Sequence, residues 1–333
     1  MKKFFKKTAL ILIYCILIIT IPAYLVDPYN VFHWKNIRNT GINPNHNYIK
    51  TKYVLSNPEL FDGFVFGSSR VGAIHVENMT NGKIYNMTAS GATPKENYDS
   101  LKTLLDGNVH MEVVYLGVDS YSYTTDPVSH HYSQLASPYE FLVTNPKAFI
   151  QLYFNPSITL QGFIEMQASK DIEGFDTFYD YGWWCDYNRH ATIDLTTAPP
   201  FIGDSDKFNE TLQDIQNIKT LCDEHNIKLV VFTNPMYDVT YRKSLEYNYL
   251  EFLIELSKIT DFYNFSSLND ITIDQNNFLD TSHYNAEVGD LLISTFLNGQ
   301  TSTDLLQQGF GYYVTEENIY DLIDILQKQL NAI

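Results

Sequence analysis

Short apolar runs rich in aromatic and β-branched residues recur along this chain with helix-like stretches between them, and this alternation constrains its fold more than any other feature. The runs lie at residues 61–67, 84–87, 111–118, 228–233 and 262–265, and the helix-like stretches at 94–105, 207–225, 241–259 and 286–297. Several of the latter carry apolar residues three or four apart, the spacing of a helix with one buried face. A run that is apolar at consecutive positions suits a strand covered on both sides, and strand then helix, repeated, predicts a parallel sheet between helical layers. The expected architecture is therefore α/β, a three-layer α/β/α sandwich of flavodoxin-like type. In such folds functional groups collect beyond the carboxyl ends of the strands.

Ahead of this pattern stands a different one. Lys2, Lys3, Lys6 and Lys7 precede 19 uncharged residues, 8–26. As a helix these would extend about 28 Å and span a bilayer core. Basic residues before the span place residues 1–7 in the cytoplasm and the rest outside. A retained single-pass anchor is expected rather than a cleaved leader, because no small-x-small site lies near Ala23. Without those lysines the chain holds 18 basic and 39 acidic residues, a net charge of −21 that argues against nucleic acid as a partner.

Residues 27–60 are polar and Asn-rich, with Pro28, Pro44 and Pro58, and are expected to form a stalk. The body would run over 61–300, interrupted at 121–201 by an aromatic-rich insert containing "FYDYGWWCDYN", expected as a lid or as a local core under a long loop. Residues 301–333 would add a helical extension, with an amphipathic helix over 315–330 packing back on the body or on a partner. Cys185 and Cys222 could be bridged or free, and their spacing decides neither.

The strand-end rule gathers a specific set of side chains. Ser68 and Ser69 follow the first run after Gly67, Asn86, Ser90 and Gly91 follow the second, Asp119 the third and Asn234 the fourth. After the fifth come Asp280 and His283, just ahead of a helix. A serine hydroxyl is a poor nucleophile until a base takes its proton, and an imidazole does so only when an acceptor on its other nitrogen fixes the tautomer. Asp280, three residues before His283, can supply that acceptor within one turn. Arg70 beside the serine could hold a phosphate or carboxylate of an anionic polymer, or could pair with an acidic neighbour. His75, His130 and His131 lack a matched set of acidic or cysteine ligands, so no metal is expected. No GxGxxG or GxxxxGK sequence stands where a nucleotide-binding turn would need it, and no cofactor is expected.

Gly67-Ser68-Ser69 and Asp280-Thr281-Ser282-His283 resemble the first and last blocks of the SGNH/GDSL hydrolase superfamily, over roughly residues 61–297 without the insert. The resemblance implies Ser69 as nucleophile, His283 as general base and Asp280 as its orienting acid. It implies an oxyanion hole formed by the Ser69 amide and a second-block glycine, for which Gly91 is the candidate. The third block of that family ends in an asparagine that donates to the oxyanion, whereas this chain reads Gly117-Val118-Asp119-Ser120. An ionised aspartate cannot donate. Either Asp119 is protonated, or Asn86 or Asn234 substitutes, or the hole is poor.

An amino-terminal anchor with a "GSS" first block is similar to the membrane-anchored branch that modifies cell-envelope polymers, namely the alginate O-acetylation proteins and the teichoic acid D-alanylation protein DltD. That likeness implies serine-dependent O-acyl transfer outside the membrane to a polysaccharide or teichoic acid, with a multipass membrane O-acyltransferase as partner. Apart from that likeness, Arg70 and Asp119 are expected to contact substrate. An esterase that deacetylates envelope glycans, and a non-catalytic polymer-binding scaffold, are the alternatives.

Overall fold

The computed structural model describes residues 1–38, 40, 42–168, 177–183, 194–299 and 301–331. Helix α1 (Lys2–Val26) is long and apolar enough to cross a membrane. It is followed by α2 (His46–Leu55), β1 (Gly63–Phe66), β2 (Ile84–Asn86), α3 (Pro94–Asp106) and β3 (Val113–Val118). Helices α4 (Tyr121–Thr124), α5 (Tyr139–Thr144), α6 (Pro146–Tyr153), α7 (Pro156–Ala168) and α8 (Phe208–Glu224) precede β4 (Lys228–Thr233). The chain continues through α9 (Asp238–Leu245), α10 (Tyr249–Ile259), β5 (Phe262–Asn264), α11 (Ala286–Asn298), α12 (Thr303–Gln307), β6 (Tyr312–Val314) and α13 (Ile319–Asn331).

The strands form one sheet in the order β2-β1-β3-β4-β5-β6, parallel except for β6, which pairs antiparallel with β5. Strand alternation divides the buried side chains into two cores. Phe64, Phe66, Val114, Leu116 and Val118 point into one, covered by α2, α3, α8, α10 and α13, while Val65, Val113, Tyr115 and Phe232 point into the other, under α11. Each large apolar side chain buried this way contributes roughly 1.5–3 kcal/mol. Local signals start the helices where the sequence calls for them. Thr93 and Glu96 form a capping box at α3 with Pro94 in its first turn, and the Asn285 side chain accepts from Val288 N at α11.

Three expectations need correction. Residues 27–60 are no stalk: Tyr29, Val31, Trp34, Ile49, Tyr53 and Val54 are buried in the larger core. Their polar neighbours mislead because they are satisfied internally; the buried Lys50 ammonium donates to the carbonyls of Asn86, Thr88 and Gly182. Residues beyond 300 are more than a helical extension, since β6 extends the sheet, while Ile319, Leu322, Ile323 and Leu326 of α13 fill the larger core as expected of an amphipathic helix packed back on the body. The expected helix over 241–259 is two helices, because Asn248 adopts φ 60° between α9 and α10.

The insert is helical from α4 to α7 and contributes Leu142, Leu152, Tyr153 and Phe178 to the larger core. At 177–183 it covers the outer edge of β2, where Asn86 N donates to Tyr181 O at 2.7 Å. This matches a local core rather than a detached lid. Cys185 and the second half of "FYDYGWWCDYN" lie outside the described residues; Cys222 is a buried thiol that burial pushes up to about 12.

Candidate active site

The turn after β1 is shaped by backbone geometry that only glycine tolerates. Gly67 has φ +154°, and a Cβ there would lie 2.7 Å from Val71 Cγ1 and 3.2 Å from Gly117 O. The chain then enters a short 3₁₀ turn, Ser69–Ala73, whose first residue is the expected nucleophile. Asn86 holds this turn from below. Its Nδ2 donates to Val71 O at 2.8 Å and Ile74 O at 3.1 Å, and its Oδ1 accepts from Thr88 N at 2.9 Å. Thr88 Oγ1 donates to Ser68 O at 2.9 Å, joining the turns after β1 and β2.

His283 reaches this turn from the loop before α11. The Ser69 hydroxyl lies 2.8 Å from His283 Nε2. On the other side of the ring, Nδ1 lies 3.0 Å from Asp280 Oδ1 and 2.9 Å from Oδ2. With the Nδ1 proton directed at that carboxylate, Nε2 is left to accept the serine proton. Asp280 is itself fixed, accepting from Ser282 N at 2.7 Å and His283 N at 2.8 Å. Burial acts to raise the Asp280 carboxyl, but the hydrogen bond and charge of His283, with those two amides, outweigh it and hold it at about 2. The site is open: side-chain exposure is 29% for His283 and 44% for Asp280. Such an arrangement can run acyl transfer through a serine ester.

Arg70 and Asp119 are not offered to a ligand. Both side chains are 2% exposed, with Arg70 Nη1 2.5 Å from Asp119 Oδ1. Arg70 Nε donates to Ser282 Oγ at 3.0 Å and Nη2 to Phe201 O at 3.1 Å, and the guanidinium stands over the Tyr121 ring. One arginine thus links the serine turn, the end of β3, the histidine loop and the segment before α8. Asp119 also accepts from Tyr121 N at 2.8 Å and Asn234 Nδ2 at 2.9 Å. These three partners among the described residues, a guanidinium, a backbone amide and a side-chain amide, all donate to its oxygens.

The two asparagines considered as oxyanion donors are both engaged elsewhere, Asn86 under the serine turn and Asn234 on Asp119. The Ser69 amide and the Gly91 amide remain as candidates. Gly91 has φ +64°, and a Cβ there would lie 2.9 Å from the Tyr121 hydroxyl and 3.2 Å from His130 Nε2. Sequence reasoning set His130 aside for want of metal ligands and so missed its actual partner. His130 Nδ1 lies 3.0 Å from Glu96 Oε1, and the same carboxylate caps α3 through Thr93. Burial lowers the His130 imidazolium, but the hydrogen bond and charge of Glu96 prevail and leave it raised. The capping box was the legible half of this dyad; the histidine comes from the insert. Among the described residues no group of histidine, cysteine and carboxylate side chains could hold a metal. A polar cleft of about 700 Å³, lined by Lys219, Lys228, Tyr263 and Tyr313, opens at the amino ends of β4 and β5, away from this chemistry.

No family model matches the chain, and no curated protein matches it.

Proposed function

We propose that this protein is a serine-dependent O-acyltransferase of SGNH type, held at the outer face of a membrane by α1, with the lysines of residues 1–7 on the cytoplasmic side. The observation that carries the reading is the unbroken series Ser69 Oγ, His283 Nε2, His283 Nδ1 and Asp280 carboxylate, assembled from the turn after β1 and the loop before α11. Ser69 Oγ attacks an acyl ester carbonyl and its proton passes to His283 Nε2. The amides of Ser69 and Gly91 face the developing oxyanion. The leaving alcohol takes the proton from His283; an acceptor hydroxyl then gives its proton to Nε2 as it attacks the acyl-serine, and that proton passes on to Ser69 Oγ as the acyl–Oγ bond breaks, restoring the starting state. Asp280 holds the ring throughout.

The acceptor in this reading is a hydroxyl of an envelope polysaccharide or teichoic acid, and a multipass membrane O-acyltransferase is the partner that would supply the acyl group. The exposed His283 and Asp280 leave room for so large an acceptor. Hydrolysis would use the same residues with water as acceptor. Full-length protein in detergent, given an activated acetyl ester with and without oligosaccharide, separates these outcomes. Transfer is expected to yield acylated oligosaccharide, and Ser69→Ala is expected to lower turnover about 10⁴-fold or more. Release of free acetate alone would select the esterase. Undiminished polymer acylation in cells carrying Ser69→Ala would overturn catalysis and leave a scaffold.

A further inference from the structure

Nothing separates α1 from the body. Immediately after Val26, Asp27 is 1% exposed, Tyr29 8%, Asn30 1% and Val31 1%. The carbonyls at the end of α1 are taken up by the body: His33 Nε2 lies 2.8 Å from Tyr24 O, and Arg38 Nη1 donates to Leu25 O at 3.0 Å. Asp27 Oδ2 in turn accepts from Phe32 N and His33 N. An anchor joined this rigidly brings the adjoining face of the body down onto the lipid headgroups.

Helix α7 lies on that face. It packs beside α1 and the turn that follows it, where a Cβ on Gly162 would lie 2.5 Å from Pro28 Cγ. Thr159 and Gly162 form its inner side. Its outer side presents Leu160, Phe163 and Ile164, exposed by 61%, 48% and 58%, at the i, i+3, i+4 spacing of one helix face. Glu165 is the only charged residue in α7, within a body that is strongly acidic. Single exposed apolar residues are ordinary; three on one uncharged helix face against a membrane anchor are not.

We infer that α7 is a second membrane contact, lying in the interfacial layer of the leaflet from which α1 emerges, with Leu160, Phe163 and Ile164 among the lipid acyl chains. The inference rests on the reading of α1 as a bilayer span. The two helices together set the tilt of the body and the height of Ser69 above the lipid.

Full-length protein with Cys15→Ser and Cys185→Ser, reconstituted into phosphatidylglycerol–phosphatidylethanolamine vesicles, tests this. An environment-sensitive fluorophore is placed singly at Phe163→Cys or Ile164→Cys, at Ile16→Cys within α1, and at Tyr320→Cys on the exposed face of α13. With nitroxide-labelled lipids, the labels at 163 and 164 are expected to lose about half or more of their emission, as at position 16, while position 320 keeps its emission. Quenching at 16 without quenching at 163 and 164 would overturn the inference and leave the anchor standing. Loss of quenching at 16 as well would overturn both.

Discussion

Arg70 and Asp119 form a buried ion pair directly behind Ser69, 2.5 Å between Nη1 and Oδ1 with 2% of each side chain exposed. The aspartate at the end of β3, unsuited as an oxyanion donor, has this structural partner instead. Removing one member leaves an uncompensated buried charge. Arg70→Met is therefore expected to destabilise the fold by about 3–5 kcal/mol. Arg70→Met with Asp119→Leu is expected to cost markedly less than the sum of the single changes, as read from urea unfolding. Additive losses would show that the two do not act as a pair.

Asp280→Asn keeps the shape of the site but removes the acceptor that fixes the His283 tautomer. Turnover of an activated ester is expected to fall by about 10⁴-fold with KM little changed. The same variant carries a stability signature. The wild-type carboxyl, ordinarily at 3.8, is held at about 2 in the fold, so its contribution is present above pH 3.8 and is lost as pH falls through 2. Acid unfolding of the variant should be less steep across that window; an unchanged slope would contradict the linkage.

Gly91→Ala places a side chain at φ +64° and 2.9 Å from the Tyr121 hydroxyl. The left-handed backbone alone costs about 1 kcal/mol. If the Gly91 amide faces the oxyanion, the displacement should lower kcat by more than it lowers stability. Tyr121→Phe in the same chain removes the hydroxyl in conflict and should restore part of the rate. Equal fractional losses in rate and folded population would remove Gly91 from the oxyanion hole.

Glu140 begins α5 beside α3. Its two carboxyl oxygens are buried with no hydrogen-bond partner among the described residues, and burial, the largest cause, raises the carboxyl to about 7 against an ordinary 4.5. Its contribution to stability is present below pH 4.5 and is lost as pH rises through 7. Glu140→Gln is expected to stabilise the protein by about 1–2 kcal/mol at pH 8 and to match the wild type near pH 4. Thermal unfolding at the two pH values checks this, and a destabilised variant at pH 8 would refute it.

The sheet and the triad were legible because each rests on a short-range signal. Strands buried on both faces must be apolar at successive positions, as in Phe64-Val65-Phe66, and an aspartate three residues before a histidine can close on it within one turn. The remainder depends on contacts between distant segments. Lys50 reads as a surface lysine until three backbone carbonyls converge on it. Arg70 reads as a ligand contact as readily as half of an ion pair until Asp119 is placed opposite it. Tyr312–Val314 is too short to register as a strand, and its pairing with β5 supplies what its length does not.

The burial of Tyr29, Trp34, Ile49 and Val54 also determines where the protein can be cut. A secreted fragment beginning at residue 61 would retain every triad residue yet strip α2 from the core and strand the carbonyls that Lys50 serves. It would be recovered as aggregate. With α1 spanning a membrane as proposed, a cut that releases the folded body intact must fall within α1 or at its carboxyl end, inside the bilayer or against its surface.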